Sequence, residues 1–357
     1  MPGSSAAPSL DWPLFTHRTA TEDDALIIDI HGHLQAPPQL HAYAQSLLNT
    51  RGMEGKDDPG ISDEALEAVS QATLKLMDGV GTDVRFTSPR PYLMHSEQPA
   101  RVVHWWIEAL NNVIARECKA HPDRMAGIGA LPQVAGESID GCLEELERTI
   151  LGLGFVGVSV NPDPGEGLTP TPPMGHEYWY PLYERCVALD VPILVHSASC
   201  RNERESYLEH FITEDTIAAL SLCRSRVFQD FPSLKIIIPH GGGSVPYQIG
   251  RWRSVRHRPD HRDSESFDAS LRKLYFDTCL YTQSAIDLLL REVGVDRCMF
   301  GTEKPGVGSQ VDNESGEWFD DIKPKIERIE WLTDADRKAV FEDTARRVFT
   351  RWKPASR

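Results

Sequence analysis

The 357-residue chain nowhere holds an apolar run of the ~18 residues that a membrane-spanning helix needs. It also lacks a Cys-x-x-Cys pair. Its seven cysteines are scattered and odd in number, which points away from a disulfide framework and toward reduced thiols in a cytoplasm. The segment Met1-Pro2-Gly3-Ser4-Ser5-Ala6-Ala7-Pro8 has neither the basic start nor the apolar stretch of a secretory signal, so residues 1–22 read as a disordered tail. Positive charge is in deficit. A net charge of −16 makes nucleic acid a poor partner and requires any site for an anion to carry its own arginines. No Gly-x-Gly-x-x-Gly follows the first strand, which weakens a dinucleotide-binding reading. Gly241-Gly242-Gly243 lacks the Lys-Ser/Thr of a phosphate-binding loop; these glycines read instead as letting the backbone pass close to a site. Internal repeats and low-complexity blocks are absent.

What is present is an alternation of strand-like and helix-like stretches. The apolar run Ala25–Ile30 predicts a first strand ending at His31, followed by a Pro/Gly-rich excursion to about Gly60. A helix with Ser62 as N-cap runs through Met77. Further strands are predicted at Thr82–Phe86, Met125–Leu131, Phe155–Asn161, Val191–His196, Leu234–His240, Leu274–Thr278 and Arg297–Gly301. Helices are predicted between several of them, one over Asp215–Asp230, and an amphipathic stretch from Asp334 to Phe349 closes the chain. Eight strands alternating with helices predict one α/β domain over 23–357, a (β/α)8 barrel; an open doubly wound sheet is the alternative.

The strand ends carry the chemistry. His31 and His33 leave the first strand with one glycine between them, so both imidazoles point the same way. Arg90 follows the second strand and Asn161 the fourth; His196 ends the fifth and His240 the sixth; Glu303 follows the eighth. Taken singly, each fits a bland role: a satisfied buried histidine, a surface arginine, a solvated acid. Jointly, four of the thirteen histidines fall at strand ends, which in a barrel converge on the one face where active sites are built. Imidazoles with a carboxylate suit a borderline-soft divalent ion such as zinc.

In this order, His-x-His, His, His, acid, the chain resembles the amidohydrolase superfamily. It is most similar to the branch of aminocarboxymuconate-semialdehyde decarboxylase, the resorcylate decarboxylases and 4-oxalomesaconate hydratase. The motifs are Asp29-Ile30-His31-Gly32-His33, Ser88-Pro89-Arg90, Asn161-Pro162-Asp163-Pro164-Gly165, His240 to Tyr247, Phe276-Asp277-Thr278-Cys279, Phe300-Gly301-Thr302-Glu303, and Phe341-Glu342 with Ala345–Phe349. Decarboxylases of this branch usually carry aspartate after the eighth strand; this chain has Glu303, as the hydratases do. Two positions depart from the hydratase pattern: Phe211, where the hydratases have tyrosine, and Gln71, near which some have a carboxylate.

The resemblance implies one divalent metal ion, zinc with manganese as the alternative, held by His31, His33, His196 and Glu303. It implies a lyase that adds water to the C=C of an unsaturated oxo-carboxylate in aromatic-acid catabolism. Glu303 and His240 would do the acid/base work. Arg90 would grip a substrate carboxylate, with Ser88, Asn161, Ser199 and Cys200 as further pocket residues. Arg251, downstream of the His240 motif, would reach a neighbouring copy in a homodimer or higher homo-oligomer. The competing classes are a non-oxidative decarboxylase of an aromatic or muconate-type acid, an amide or lactone hydrolase, and a binding module that kept a barrel. Asn161 stands where binuclear hydrolases carry a carboxylatable lysine, which counts against the hydrolase.

Overall fold

A computed structural model describes residues 25–91, 94–258 and 265–353; the expected tail over 1–22 lies outside them. Eight strands form one sheet in chain order: β1 (Ile28–His33), β2 (Val84–Ser88), β3 (Met125–Ala130), β4 (Gly157–Val160), β5 (Ile193–Val195), β6 (Ile236–Ile238), β7 (Tyr275–Asp277) and β8 (Cys298–Met299). Every neighbouring pair is parallel. Two backbone bonds draw the open edges together: Ile30 N donates to Phe300 O (3.0 Å) and Glu303 N donates to His31 O (2.7 Å). The sheet is thereby a nearly closed (β/α)8 barrel, as the strand count predicts.

Its interior is filled by Ile28, Ile30, Phe86, Ile128, Leu194, Ile237 and Met299, joined by Phe349 and Trp352 from the closing segment. Branched and aromatic residues dominate these strands because they pack well on a pleated surface. A second cluster lies between the sheet and the helices and includes Trp106, Ile107, Val158, Trp179, Phe276 and Ile286. Among the described residues no helix is long and apolar enough to cross a membrane.

Three local expectations change. The Pro/Gly-rich excursion contains the helix Pro38–Thr50, which starts on a proline and buries Leu40, Tyr43, Ala44 and Leu47. A proline at the first helical position costs nothing, since its missing N–H has no partner there in any case. The helix expected over Asp215–Asp230 begins earlier, at Tyr207, and breaks at Ser225; a shorter helix, Val227–Asp230, follows. Ser206 and Glu209 form its reciprocal cap, with Ser206 N donating to Glu209 Oε2 at 2.6 Å. Strand β1 runs on through His33, and its register against β2 slips between Asp29 and Gly32. That bulge separates the core-facing Ile28 and Ile30 from the two histidines.

Candidate metal centre and active site

The C-terminal ends of β1, β5 and β6 bring four imidazoles together. Ring centroids are 5.1 Å apart for His31–His33, 5.0 Å for His31–His196, 5.1 Å for His33–His196 and 5.0 Å for His196–His240. All four rings are buried, and so is Glu303.

The hydrogen bonds decide which nitrogen of each ring is free. His31 Nδ1 lies 2.6 Å from Asp277 Oδ2, and a carboxylate only accepts, so Nδ1 donates. Ser88 Oγ gives its proton to Gly32 O (3.0 Å) and therefore accepts from His33 Nδ1 (2.9 Å). His196 Nδ1 donates to Ser197 O (2.8 Å). In each ring a neutral tautomer with the proton on Nδ1 leaves Nε2 as the lone pair, and these three Nε2 atoms are buried without a hydrogen-bond partner. Buried polar atoms of native folds are otherwise paired. Donor atoms of His31, His33 and His196 lie within 4.8 Å of one another, as do those of His196, His240 and Glu303. Burial, reinforced by the neighbouring imidazoles, holds His33 and His196 well below the ordinary histidine pKa. Neutral imidazoles converging on one point fit a divalent cation.

Glu303 faces this group with both oxygens. Oε1 is 3.8 Å from His33 Nε2; Oε2 is 4.0 Å from His240 Nε2 and accepts from the Tyr281 hydroxyl at 3.0 Å. Its backbone is left-handed (φ 60°), as is that of His240 (φ 49°), a cost of order 1–3 kcal/mol each that the surrounding structure offsets. His240 differs from the other three rings. Burial disfavours its charge, but Asp215, at 2.7 Å from Nδ1, outweighs burial and pushes its pKa up to about 9, helped by Glu303 and Asp277.

Beneath the site, Asp29 ties β1 to the end of β8: Thr302 Oγ1 donates to Asp29 Oδ2 (2.6 Å) and Thr302 N donates to Oδ1 (3.1 Å). Arg85 is buried and donates to His33 O (2.7 Å).

The structure sorts the remaining candidates. Arg90 is half-buried beside the histidines, donating to Pro305 O at 3.1 Å, and its charge is one of those depressing His33. The Ser88 hydroxyl gives its proton to Gly32 O and accepts from His33 Nδ1, so it orients the His33 ring. Asn161 Oδ1 accepts from Asp163 N (3.0 Å), while its buried Nδ2 has no partner. Ser199 is half-buried in the loop after β5. Cys200 turns instead to Asn202 O (3.7 Å) and groups with Glu205 and His210. Arg251 is exposed on the helix Ile249–Val255, with Nε 3.4 Å from Gln248 Oε1. Gln71 is exposed and bonds Glu67 (2.6 Å), so that departure lies on the surface; Phe211 lies in the site, stacked on His240 (6.0 Å, 8°) and edge-on to His196 (5.4 Å, 88°). Of the glycines after His240, Gly241 comes up to the site, its N donating to Asp277 Oδ1 at 3.3 Å, while a Cβ on Gly243 would meet Ile212 O at 2.6 Å and one on Gly242 would meet Phe276 at 2.8 Å.

Three site residues had no role in the sequence reading. Asp277, Asp215 and Tyr281 each hold a histidine or Glu303. The Phe276–Cys279 motif marked Asp277, and the strand-end rule that picked out the histidines applies to it equally.

Residues 28–351 match the amidohydrolase family. The chain is 37% identical over 334 residues to a 2-keto-4-carboxy-3-hexenedioate hydratase of a Sphingobium species, an alignment covering 91% of this chain and 96% of that one. It superposes on the crystal structure of 4-oxalomesaconate hydratase from Rhodopseudomonas palustris with a TM-score of 0.83 and 33% identity, over 91% and 96% of the two chains. A Polaromonas dihydroxybenzoic acid decarboxylase, solved with bound manganese, shares the fold with a TM-score of 0.65 and 22% identity, over 91% and 96% of the two chains. The chain belongs to the amidohydrolase family.

Proposed function

We propose that this chain is a metal-dependent hydro-lyase that adds water across the C=C of an unsaturated oxo-carboxylate, as a 4-oxalomesaconate hydratase does. One observation carries the reading: a glutamate, Glu303, stands against a group of three buried, unpartnered imidazole nitrogens. Its likeness over nearly the whole chain to hydratases supports it.

His31, His33, His196 and Glu303 would hold the ion, zinc first and manganese second. A divalent ion there supplies a Lewis acid that eases ionisation of a water molecule near neutral pH. Glu303 takes a proton from that water, whose hydroxyl adds to one alkene carbon. His240, kept charged by Asp215, delivers a proton to the other carbon. Oε2 and Nε2 lie 4.0 Å apart, too far for direct transfer, so the proton on Glu303 returns to His240 through one bridging water, and the sum is one water added. Arg90 grips a substrate carboxylate, which a chain of net charge −16 needs a local cation to attract. Asn161 Nδ2 is the amide offered to an oxygen of the substrate. Ser199 lies in the loop after β5 at the same end of the barrel. The reading places the enzyme in the cytoplasm, consistent with seven free cysteines, as a homodimer or higher homo-oligomer in which Arg251 meets the adjacent copy.

The test is an ultraviolet assay of an unsaturated oxo-tricarboxylate with chelated and zinc-reloaded protein. Hydration that vanishes on chelation and returns with Zn2+ is the expected result. Turnover by the metal-free protein overturns the scheme, and release of bicarbonate in place of hydration assigns the decarboxylase chemistry.

A further inference from the structure

The segment after β7 runs Thr278-Cys279-Leu280-Tyr281 and enters the helix Gln283–Val293, whose N-cap Thr282 accepts from Ala285 N at 3.3 Å. This anchors Tyr281 at a fixed helix start. Its ring packs against the core cluster, and its hydroxyl donates to Glu303 Oε2 at 3.0 Å. The Cys279 thiol approaches the same oxygen, Sγ lying 3.9 Å away. On the other side of the ring lies the loop after β8: a Cβ on Gly308 would come within 2.6 Å of Tyr281 Cε1 and Cζ. The ring is therefore gripped between its own helix start and Gly308, and it reaches Glu303 with one donor.

We propose that Tyr281 is a positioning residue: its hydroxyl clamps Glu303 Oε2, so that Oε1 is the oxygen presented to His31, His33 and His196. This rests on the reading that Glu303 is a ligand of the metal. A glutamate has rotatable bonds to lose and a left-handed backbone here (φ 60°), so its carboxylate has no single direction unless something holds it. A phenol is a donor at neutral pH and has one hydrogen to give, which fixes the oxygen it takes. Removing the partners that orient metal ligands typically costs about 10- to 100-fold in affinity for the ion. Gly308 belongs to the same device, because any side chain there would push the ring off its oxygen.

The experiment is calorimetric titration of the full-length apoprotein with Zn2+, for wild type, Tyr281→Phe, Gly308→Ala, Glu303→Ala and the double variant Tyr281→Phe/Glu303→Ala. Tyr281→Phe is expected to bind Zn2+ roughly 10-fold more weakly, in the range of measured outer-partner losses. Gly308→Ala keeps the hydroxyl and should weaken binding in the same direction, so it carries the test should Tyr281→Phe fail to fold. In the Glu303→Ala background, Tyr281→Phe should cost nothing further, because the oxygen it holds is gone. Wild-type affinity in Tyr281→Phe, or an equal loss with and without Glu303, overturns the proposal while leaving the metal site standing. A wild-type protein that takes up no Zn2+ overturns the metal reading itself and the clamp with it.

Discussion

The guanidinium of Arg85 fills the space that a side chain on residue 32 would need: a Cβ on Gly32 would lie 1.9 Å from Arg85 Nε. The same guanidinium donates to His33 O, so the glycine between the two histidines is what lets an arginine brace their backbone. Gly32→Ala should cost roughly 1–3 kcal/mol, the range for overpacking a dense interior, and should displace His33. Urea unfolding measures the first effect and Zn2+ titration the second. An alanine variant with wild-type stability and affinity would mean that Arg85 moves aside freely.

Asp277 sets the tautomer of His31. Burial opposes its charge, but the hydrogen bond to His31 prevails and holds its carboxyl below the usual range. Asp277→Asn replaces an obligate acceptor by a group that also donates, so Nε2 is no longer the assured free lone pair. Zn2+ affinity should fall about 10- to 100-fold with little change in Tm. Titration of the apoprotein beside a melting curve decides it; unchanged affinity would remove Asp277 from the site's support.

Arg90 is half-buried, its charge acts on His33, and its one described hydrogen bond goes to a backbone carbonyl, Pro305 O. Arg90→Ala should lower kcat/KM for an anionic substrate by about 2–4 kcal/mol of transition-state binding. Steady-state kinetics on the oxo-acid identified by the absorbance assay checks this. An unchanged kcat/KM would take Arg90 out of substrate recognition.

A second polar cluster lies beside the site, on the loop after β4. Burial, followed by the neighbouring Glu97 charge, pushes the Glu166 carboxyl up to about 7, against the pull of Arg201 at 3.1 Å. The folded chain thus keeps a proton that the unfolded chain releases near pH 4.3. Between those two values the folded state binds more protons, so stability falls as pH rises, and above pH 7 the full cost is present. Glu166→Gln removes that cost. The difference in Tm, variant minus wild type, should grow more positive from pH 4.5 to pH 8; a difference that stays flat over this range would rule the effect out.

The grouping of the histidines with Glu303 was legible because barrel topology converts positions far apart in sequence into neighbours. His31, His33, His196, His240 and Glu303 needed only a strand end each to be placed together. Phe211 and Asp215 were harder. They sit on a helix whose start at Tyr207 is set by the Ser206–Glu209 cap, a local signal outweighed by the apolar pattern further along. The helix Pro38–Thr50 was masked by its prolines, although Leu40, Tyr43, Ala44 and Leu47 have helical spacing. The tie of Ser88 to His33 was not legible, because nothing in a sequence says that a hydroxyl's proton is given to a carbonyl on the neighbouring strand. The clamp on Glu303 has the same character: a tyrosine in a loop acquires meaning only from what its oxygen touches.

The bond from Glu303 N to His31 O also has a bearing on the order in which the molecule is made. The histidines of β1 belong to the first strand of the barrel to be synthesised, and Glu303 arrives only after the last strand, with the backbone that closes the barrel. A nascent chain halted before β8 would carry all four histidines and the groups that orient them, but neither Glu303 nor the seam to His31. With the ligand set proposed above, ion capture would be an event of the finished chain, and a tightly retained ion would report that the first and last strands have met.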